Sequence, residues 1–158
     1  VAGMRIGARE DIGIPAEAVF ALLADFAAHE QGARRRGATI LCEGLRDSPE
    51  PGLAWDVSGH YRGKQRRLRL VLEAYDPPIG MVVAISGGGF ESRVDLGVVA
   101  MARGRSRLLA DLEVRPRTLG ARILMQSLRL GRAALVRRLQ ARLREFAARA
   151  EARHRAGQ

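Results

Sequence analysis

The chain has 158 residues, 47% of them apolar, which is enough for one substantial core, and no apolar run is long enough to span a bilayer. The start of the sequence shows no signal-peptide pattern, and the lone Cys42 excludes an internal disulfide, so the expected setting is the reducing cytoplasm. A net charge of +10 points to nucleic acid until it is located: residues 118–158 hold ten arginines against two carboxylates, and the rest is close to neutral.

Val1-Ala2-Gly3 precede Met4 and read as an added remnant. Arg5 to Ile14 reads as a first strand, with Ile6, Ala8 and Ile12 on one face. Pro15 then opens a helix over Ala16 to about Phe26, and a second short helix fits between Ala27 and Gly37. Arg34-Arg35-Arg36 at its end could grip phosphate, although three charges on a loop are usually solvated. Ala38 to Glu43 is a second strand, in which Cys42 reads as a small buried hydrophobe rather than a nucleophile.

From Leu53 onward five segments alternate with period two. Leu53, Trp55, Val57, Gly59 and Tyr61 share one face; Gly63-Lys64 turns the chain; Leu68, Leu70, Leu72 and Ala74 then alternate with Arg67, Arg69, Glu73 and Tyr75. Asp76-Pro77-Pro78 closes that strand, Met81 to Ser86 forms a short one, and Gly87-Gly88-Gly89 turns again. Phe90, Ser92, Val94, Leu96 and Val98 share a face in the next strand, and Leu108, Ala110, Leu112 and Val114 in the last. Short connections predict an antiparallel meander with one dry face, and the mixed charges of the other face suit cross-strand pairing.

Beyond Pro116, Thr118 can cap a helix running to about Arg153. Leu124, Leu128, Leu135, Leu139, Leu143 and Phe146 form its apolar stripe, with Arg122, Gln126, Arg129, Arg137, Gln140, Arg144 and Glu151 opposite. At about 1.5 Å per residue such a helix is roughly 50 Å long and needs a broad apolar surface to lie across. Residues 154–158 read as a frayed tail.

The order of elements, the run Ile14-Pro15-Ala16-Glu17-Ala18-Val19-Phe20 leading into the first helix, the Tyr75-Asp76-Pro77-Pro78 strand exit and the long closing helix together resemble the SRPBCC (START/Bet v 1-like) superfamily. Within it they resemble bacterial polyketide cyclase/dehydrase-like proteins and the G-type proteins associated with carbon-monoxide dehydrogenase. The resemblance spans essentially the whole chain and implies a single α+β domain of helix-grip fold: a curved seven-stranded antiparallel sheet, two short helices and a long C-terminal helix, with an apolar cavity between sheet and helix. The motifs mark topology, not catalysis. The chain departs from many relatives in having no aromatic residue between Ala27 and Gly37, so no ligand contact carries over there.

Strand parity assigns the lining of such a cavity. Trp55, Val57, Tyr61, Leu68 and Leu70 come from the first hairpin, Ile85, Ser92, Val94 and Leu96 from the next, Leu108, Ala110 and Leu112 from the last strand, and Leu124 and Leu128 from the helix. Gly59, Ala74, Ser92 and Ala110 would leave space. The lining suits a lipid, a quinone or a polyketide-like metabolite. His29, His60 and His154 stand apart, with no second ligand at metal spacing, so no metal or other cofactor is expected. No catalytic residue is assigned; Tyr61 is the one inward hydroxyl suited to orienting a carbonyl, and no inward carboxylate stands beside it.

Three functions stay open: a carrier or sensor of a hydrophobic small molecule, a cyclase- or dehydratase-like enzyme, and an accessory protein whose basic helix face docks on an acidic protein or anionic membrane. Lys64 is the only lysine, so a coding bias toward arginine accounts for much of the charge; weak contact with an anionic surface is expected. Specific nucleic-acid binding is not, because no aromatic platform or groove-reading motif accompanies the arginines.

Overall fold

The computed structural model describes residues 3–157; Val1, Ala2 and Gln158, and with them most of the expected N-terminal remnant and the last residue of the expected frayed tail, lie outside the described residues. Strand β1 (Met4–Ile12) is followed by helices α1 (Ala16–Leu23) and α2 (Phe26–Arg35) and then by six strands: β2 (Thr39–Glu43), β3 (Ala54–Tyr61), β4 (Lys64–Asp76), β5 (Gly80–Gly87), β6 (Phe90–Met101) and β7 (Arg105–Pro116). Helices α3 (Leu119–Leu130) and α4 (Arg132–Ala156) close the chain. The strands form one seven-stranded antiparallel sheet in the order β1-β7-β6-β5-β4-β3-β2, with the helices on its inner face.

Local chemistry explains most boundaries. The Ala28 N–H donates to the Asp25 side chain, capping α2, and the Ala121 N–H donates to the Thr118 hydroxyl at 3.1 Å, capping α3. Two-residue hairpin turns of type I′ need two left-handed residues, met by Arg62-Gly63 (φ +53° and +76°) and Gly88-Gly89 (φ +62° and +82°).

Two departures from the expected pattern matter. The first lies in β4, where the register shifts between Leu72 and Ala74. A bulge adds one residue and inverts the alternation beyond it. Tyr75, expected outside, therefore turns inward onto Phe20, with ring centroids 5.6 Å apart. Ala74, expected to leave space inside, instead lines a depression on the outer face with Glu73 and Val82.

The second is the C-terminal helix, which is two helices meeting at Gly131. Glycine is the poorest non-proline helix former, and Gly131 sits at φ −93°, ψ +16°, ending one helix and starting the next. The stripe is therefore not continuous. In α3 the buried residues are Ala121 and Met125, while Leu124 is 52% exposed and Leu128 half-buried. In α4 the buried residues are Leu143, Ala147 and Ala150, with Leu139 and Phe146 against them. The helix continues to Ala156, past the tail expected to fray, and His154 is half-buried within it.

Helix α4 lies along β1 rather than across open solvent. Gln140, expected on the outer side, donates to the Arg9 carbonyl at 2.8 Å and to Glu10 at 2.9 Å. Arg129 and Arg132 donate to the carbonyls of Gly3 and Arg5, and Glu151 accepts from the Gly13 N–H at 2.7 Å. On the outer face of the sheet, Arg5–Glu113, Arg69–Asp56, Arg93–Glu73 and Arg107–Asp11 are ion pairs of 2.6–3.0 Å.

Candidate functional site

The inner face divides into two halves. Under α1, α2 and the second half of α4, it is filled: Leu72, Met81, Val98 and Leu108 pack with Val19, Phe20, Phe26, Leu143, Ala147 and Ala150 into one cluster. Trp55 belongs to this half, its ring 5.0 Å from that of Phe26. So do Leu108, 1% exposed, and Ala110, 3% exposed. These three residues were expected to line a cavity, and the structure places them in or against the packed cluster.

Toward the β3–β4 turn the cover ends. Val57, Leu70 and Leu96 form the margin, half-buried and packed on one side against the core. Beyond them Ile85, Ser92, Val94 and Leu112 are half-buried, Leu68 is 43% exposed and Tyr61 61% exposed. The strand register aligns them: Val57 faces Leu68, Leu70 faces Ile85, Ile85 faces Ser92, and Val94 faces Leu112. Helix α3 meets the sheet at β7 and, through Thr118 and Ala121, at Gly89 of the β5–β6 turn. Leu124 and Leu128, expected in the lining, come from that helix; Leu124 is 52% exposed and Leu128 half-buried. The strand residues thus form a partly exposed apolar row, a shallow groove on the inner face.

At the turn end Val57, Tyr61 and Leu68 of this groove also line a depression of about 1010 Å³, together with Gly59, Arg36, His60, Arg62, Lys64, Arg66 and Arg67. The glycine turn shapes its far wall. A side chain at Gly87 would come within 2.7 Å of Leu68, and one at Gly89 within 2.7 Å of Thr118, so both positions need the absence of a Cβ. A second depression, of about 630 Å³ on the outer face, is lined by Arg5, Glu73, Arg93 and Glu113, whose charges already neutralise one another in pairs.

One buried carboxylate has no counterpart among the expected site residues. Glu30 of α2 is 4% exposed; it accepts from Arg46 Nε at 2.6 Å, from the Trp55 indole N–H at 3.1 Å and from Arg34 at 3.4 Å. Hydrogen bonding and charge from Glu30 raise the Arg46 pKa further. The one signal in the sequence is the indole itself, since a buried Trp N–H needs an acceptor. Both Glu30 oxygens are committed to these donors, so the carboxylate ties α2, the loop after β2 and β3 together and is not aimed into the groove. Of the histidines, His29 contacts the Leu23 carbonyl at 3.0 Å and His60 is exposed at the rim. Among the described residues no three His, Cys, Asp or Glu side chains gather as a metal site. None of the described helices is long and apolar enough to cross a membrane.

No family model matches the sequence, and no curated protein matches it. Solved structures do. The Zhui aromatase/cyclase from a Streptomyces species superposes with a TM-score of 0.67 at 14% identity, over 98% of both chains. The chain has the helix-grip fold of START and Bet v 1-like proteins. Norcoclaurine synthase from Thalictrum flavum, in complex with a transition-state analogue, gives a TM-score of 0.70 at 10% identity, over 97% of this chain and 96% of that one. A START superfamily protein from Mycobacterium smegmatis gives 0.56 at 15% identity, over 90% and 98%. Identities this low establish the fold, not the activity.

Proposed function

We propose that this helix-grip protein binds an apolar small molecule in the open half of the inner face. The observation that carries the proposal is the row Val57, Leu68, Leu70, Ile85, Val94 and Leu112: aliphatic, aligned by register and left partly exposed in a fold whose other half is filled. Covering such a row with an apolar ligand gains about 25 cal/mol for each Å² removed from water. Structures of the same fold hold small molecules, as norcoclaurine synthase from Thalictrum flavum does with dopamine and hydroxybenzaldehyde. Binding or carriage is favoured over cyclisation because the polar groups of the row are the hydroxyls of Tyr61 and Ser92, while His60, which lines the depression, alternates with Tyr61 and Gly59 and so belongs to the other face of β3. Titration with a neutral naphthylamine fluorophore tests it: the wild type should enhance its emission, and Ser92→Trp, which fills the groove, should weaken binding about tenfold, or 1.4 kcal/mol. Equal binding by a folded Ser92→Trp protein would overturn the reading.

A second reading rests on α3. Its outer side exposes Leu119, Ile123 and Leu130, with Arg122 and Arg129 on the flank, an arrangement suited to weak adhesion to an anionic membrane. Replacing Arg122, Arg129, Arg137 and Arg144 by Gln should abolish vesicle binding that already fades as salt rises. Binding that survives the replacement would reject it.

A further inference from the structure

We infer that the ligand carries an anionic group, held at the rim of the groove by Arg36 and Arg66 with Lys64 beside them. The inference rests on the groove being a binding site and names the chemistry of its occupant. It starts from parity. Because Leu68 faces Val57 on the inner side, Arg66, opposite Gly59, and Lys64, opposite Tyr61, share that inner side. The inner column of β4 therefore reads Leu70, Leu68, Arg66, Lys64, changing from aliphatic to cationic as it leaves the core. Gly59 places no side chain between Arg66 and the chain at Gly37-Ala38, where an added Cβ would lie 3.5 Å from the Ala38 backbone. Arg36, at the end of α2, lines the same depression.

The distribution of charge across the sheet supports a ligand over a merely solvated tip. Elsewhere five arginines of the strands, Arg5, Arg69, Arg93, Arg107 and Arg115, meet carboxylates, while Arg9 and Arg105 stand singly among the described residues, at strand positions away from any apolar depression. The depression has no Asp or Glu in its lining, and Arg36, Lys64 and Arg66 form no ion pair among the described residues. Like charges gathered beside an apolar wall repel one another until an anion joins them, and guanidinium groups favour the two oxygens of a carboxylate or phosphate. An apolar body against Leu68 and Leu70 with its anionic head at Arg66 and Arg36 satisfies both ends. A single-stranded nucleic acid fits less well: besides the exposed His60, Tyr61 is the one aromatic side chain of the depression, and the Arg62 guanidinium already lies 5.3 Å above its ring.

The test displaces the neutral naphthylamine fluorophore with palmitate, with methyl palmitate and with a monoalkyl phosphate of matching chain length. Palmitate or the alkyl phosphate should bind about tenfold or more tightly than the ester, and the better of the two identifies the head group. The preference should shrink as salt rises. It should collapse in an Arg36→Gln, Arg66→Gln double variant that still binds the ester normally, and it should persist in Arg149→Gln, which lowers the net charge on α4, away from the groove. Equal affinity for acid, phosphate and ester in the wild type overturns the anionic head and leaves apolar binding intact. Displacement by a single-stranded oligonucleotide but by neither amphiphile also overturns it. Absence of fluorophore binding removes the groove itself as a site.

Discussion

The packed and open halves of the inner face are built from the same strands with the same kinds of residue. Leu70 and Leu72 are two positions apart on β4, yet Leu72 is fully buried and Leu70 stands at the margin. What differs is the lid. Over the packed half α1, α2 and α4 bring Val19, Phe20, Phe26, Leu143 and Ala147 onto the strands. In α3 the buried residues are Ala121, held against Gly89, and Met125, and Leu124 is left toward solvent. The packed core and the proposed binding site therefore occupy different parts of one sheet face, which is what a protein needs if a ligand is to enter without unfolding it.

Substitutions can break this division. The largest effect is expected for Leu108→Asp: a buried unpaired charge costs several kcal/mol, on the order of the whole stability of a domain. Circular dichroism should show an unfolded protein, whereas Leu68→Asp in the open half should stay folded and lose fluorophore binding. Wild-type melting by Leu108→Asp would erase the distinction. Next comes Glu30→Gln, which keeps the shape but discharges a group holding Arg46, Arg34 and Trp55. Hydrogen bonds to charged groups contribute about 1.5–3 kcal/mol each, so chemical denaturation should detect the loss, and emission from the single Trp55 should shift if the indole loosens. A variant with unaltered stability and emission would make Glu30 incidental.

A subtler pair compares the same substitution in both halves. Ala110→Trp should cost about 1–3 kcal/mol through overpacking, while Ser92→Trp should leave the melting temperature nearly unchanged. Equal losses would mean that the open half is as full as the packed one. The smallest effect is on the outer face and concerns acid. Hydrogen bonding to Arg107 holds Asp11 below its ordinary pKa; for Glu113, burial pushes upward but Arg115 and Arg5 outweigh it, and its pKa is also lowered. A carboxylate lowered in the folded state stabilises at pH above its unfolded pKa and loses that contribution as pH falls through the lowered value. Arg107→Gln should therefore melt slightly below wild type at neutral pH, with the gap closing below the usual carboxylate range near about pH 4. A gap that is constant with pH would remove Asp11 from the account.

The sheet was legible in the sequence because strict alternation leaves one choice of face, and parity placed Val57, Leu68, Ile85 and Leu112 on the inner side as the register does. It failed at Glu73, since a bulge leaves the alternation of residue types intact while inverting the faces. The helix failed for a different reason. Residues 119–130 are apolar on more than one side, so Leu124 with Leu128 and Ala121 with Met125 compete as the buried stripe, and leucine outranks alanine only when nothing restricts space. Gly89 does restrict it: Ala121 lies 3.2 Å from where a Cβ on that glycine would be. Glu30 was invisible because its partners, Arg46 and Trp55, are 16 and 25 residues away in the chain. The rim was legible in principle, since the inner parity of β4 runs through Arg66 and Lys64, but an alternating pattern is recognised only as far as its apolar residues run.

The side chains that bind helices α3 and α4 to β1 have a consequence for the behaviour of this protein in a crowd. A strand at the border of a sheet offers unpaired carbonyls and amides as a template on which other chains can add and, eventually, form fibres. Here Arg129, Arg132 and Gln140 occupy the carbonyls of Gly3, Arg5 and Arg9 on that border. The opposite border, β2, is only five residues long and ends in Glu43, itself paired with Arg69. Three carbonyls of one border are taken by side chains and the other border is short, so both edges disfavour the addition of a further strand even with one face of the sheet left partly uncovered.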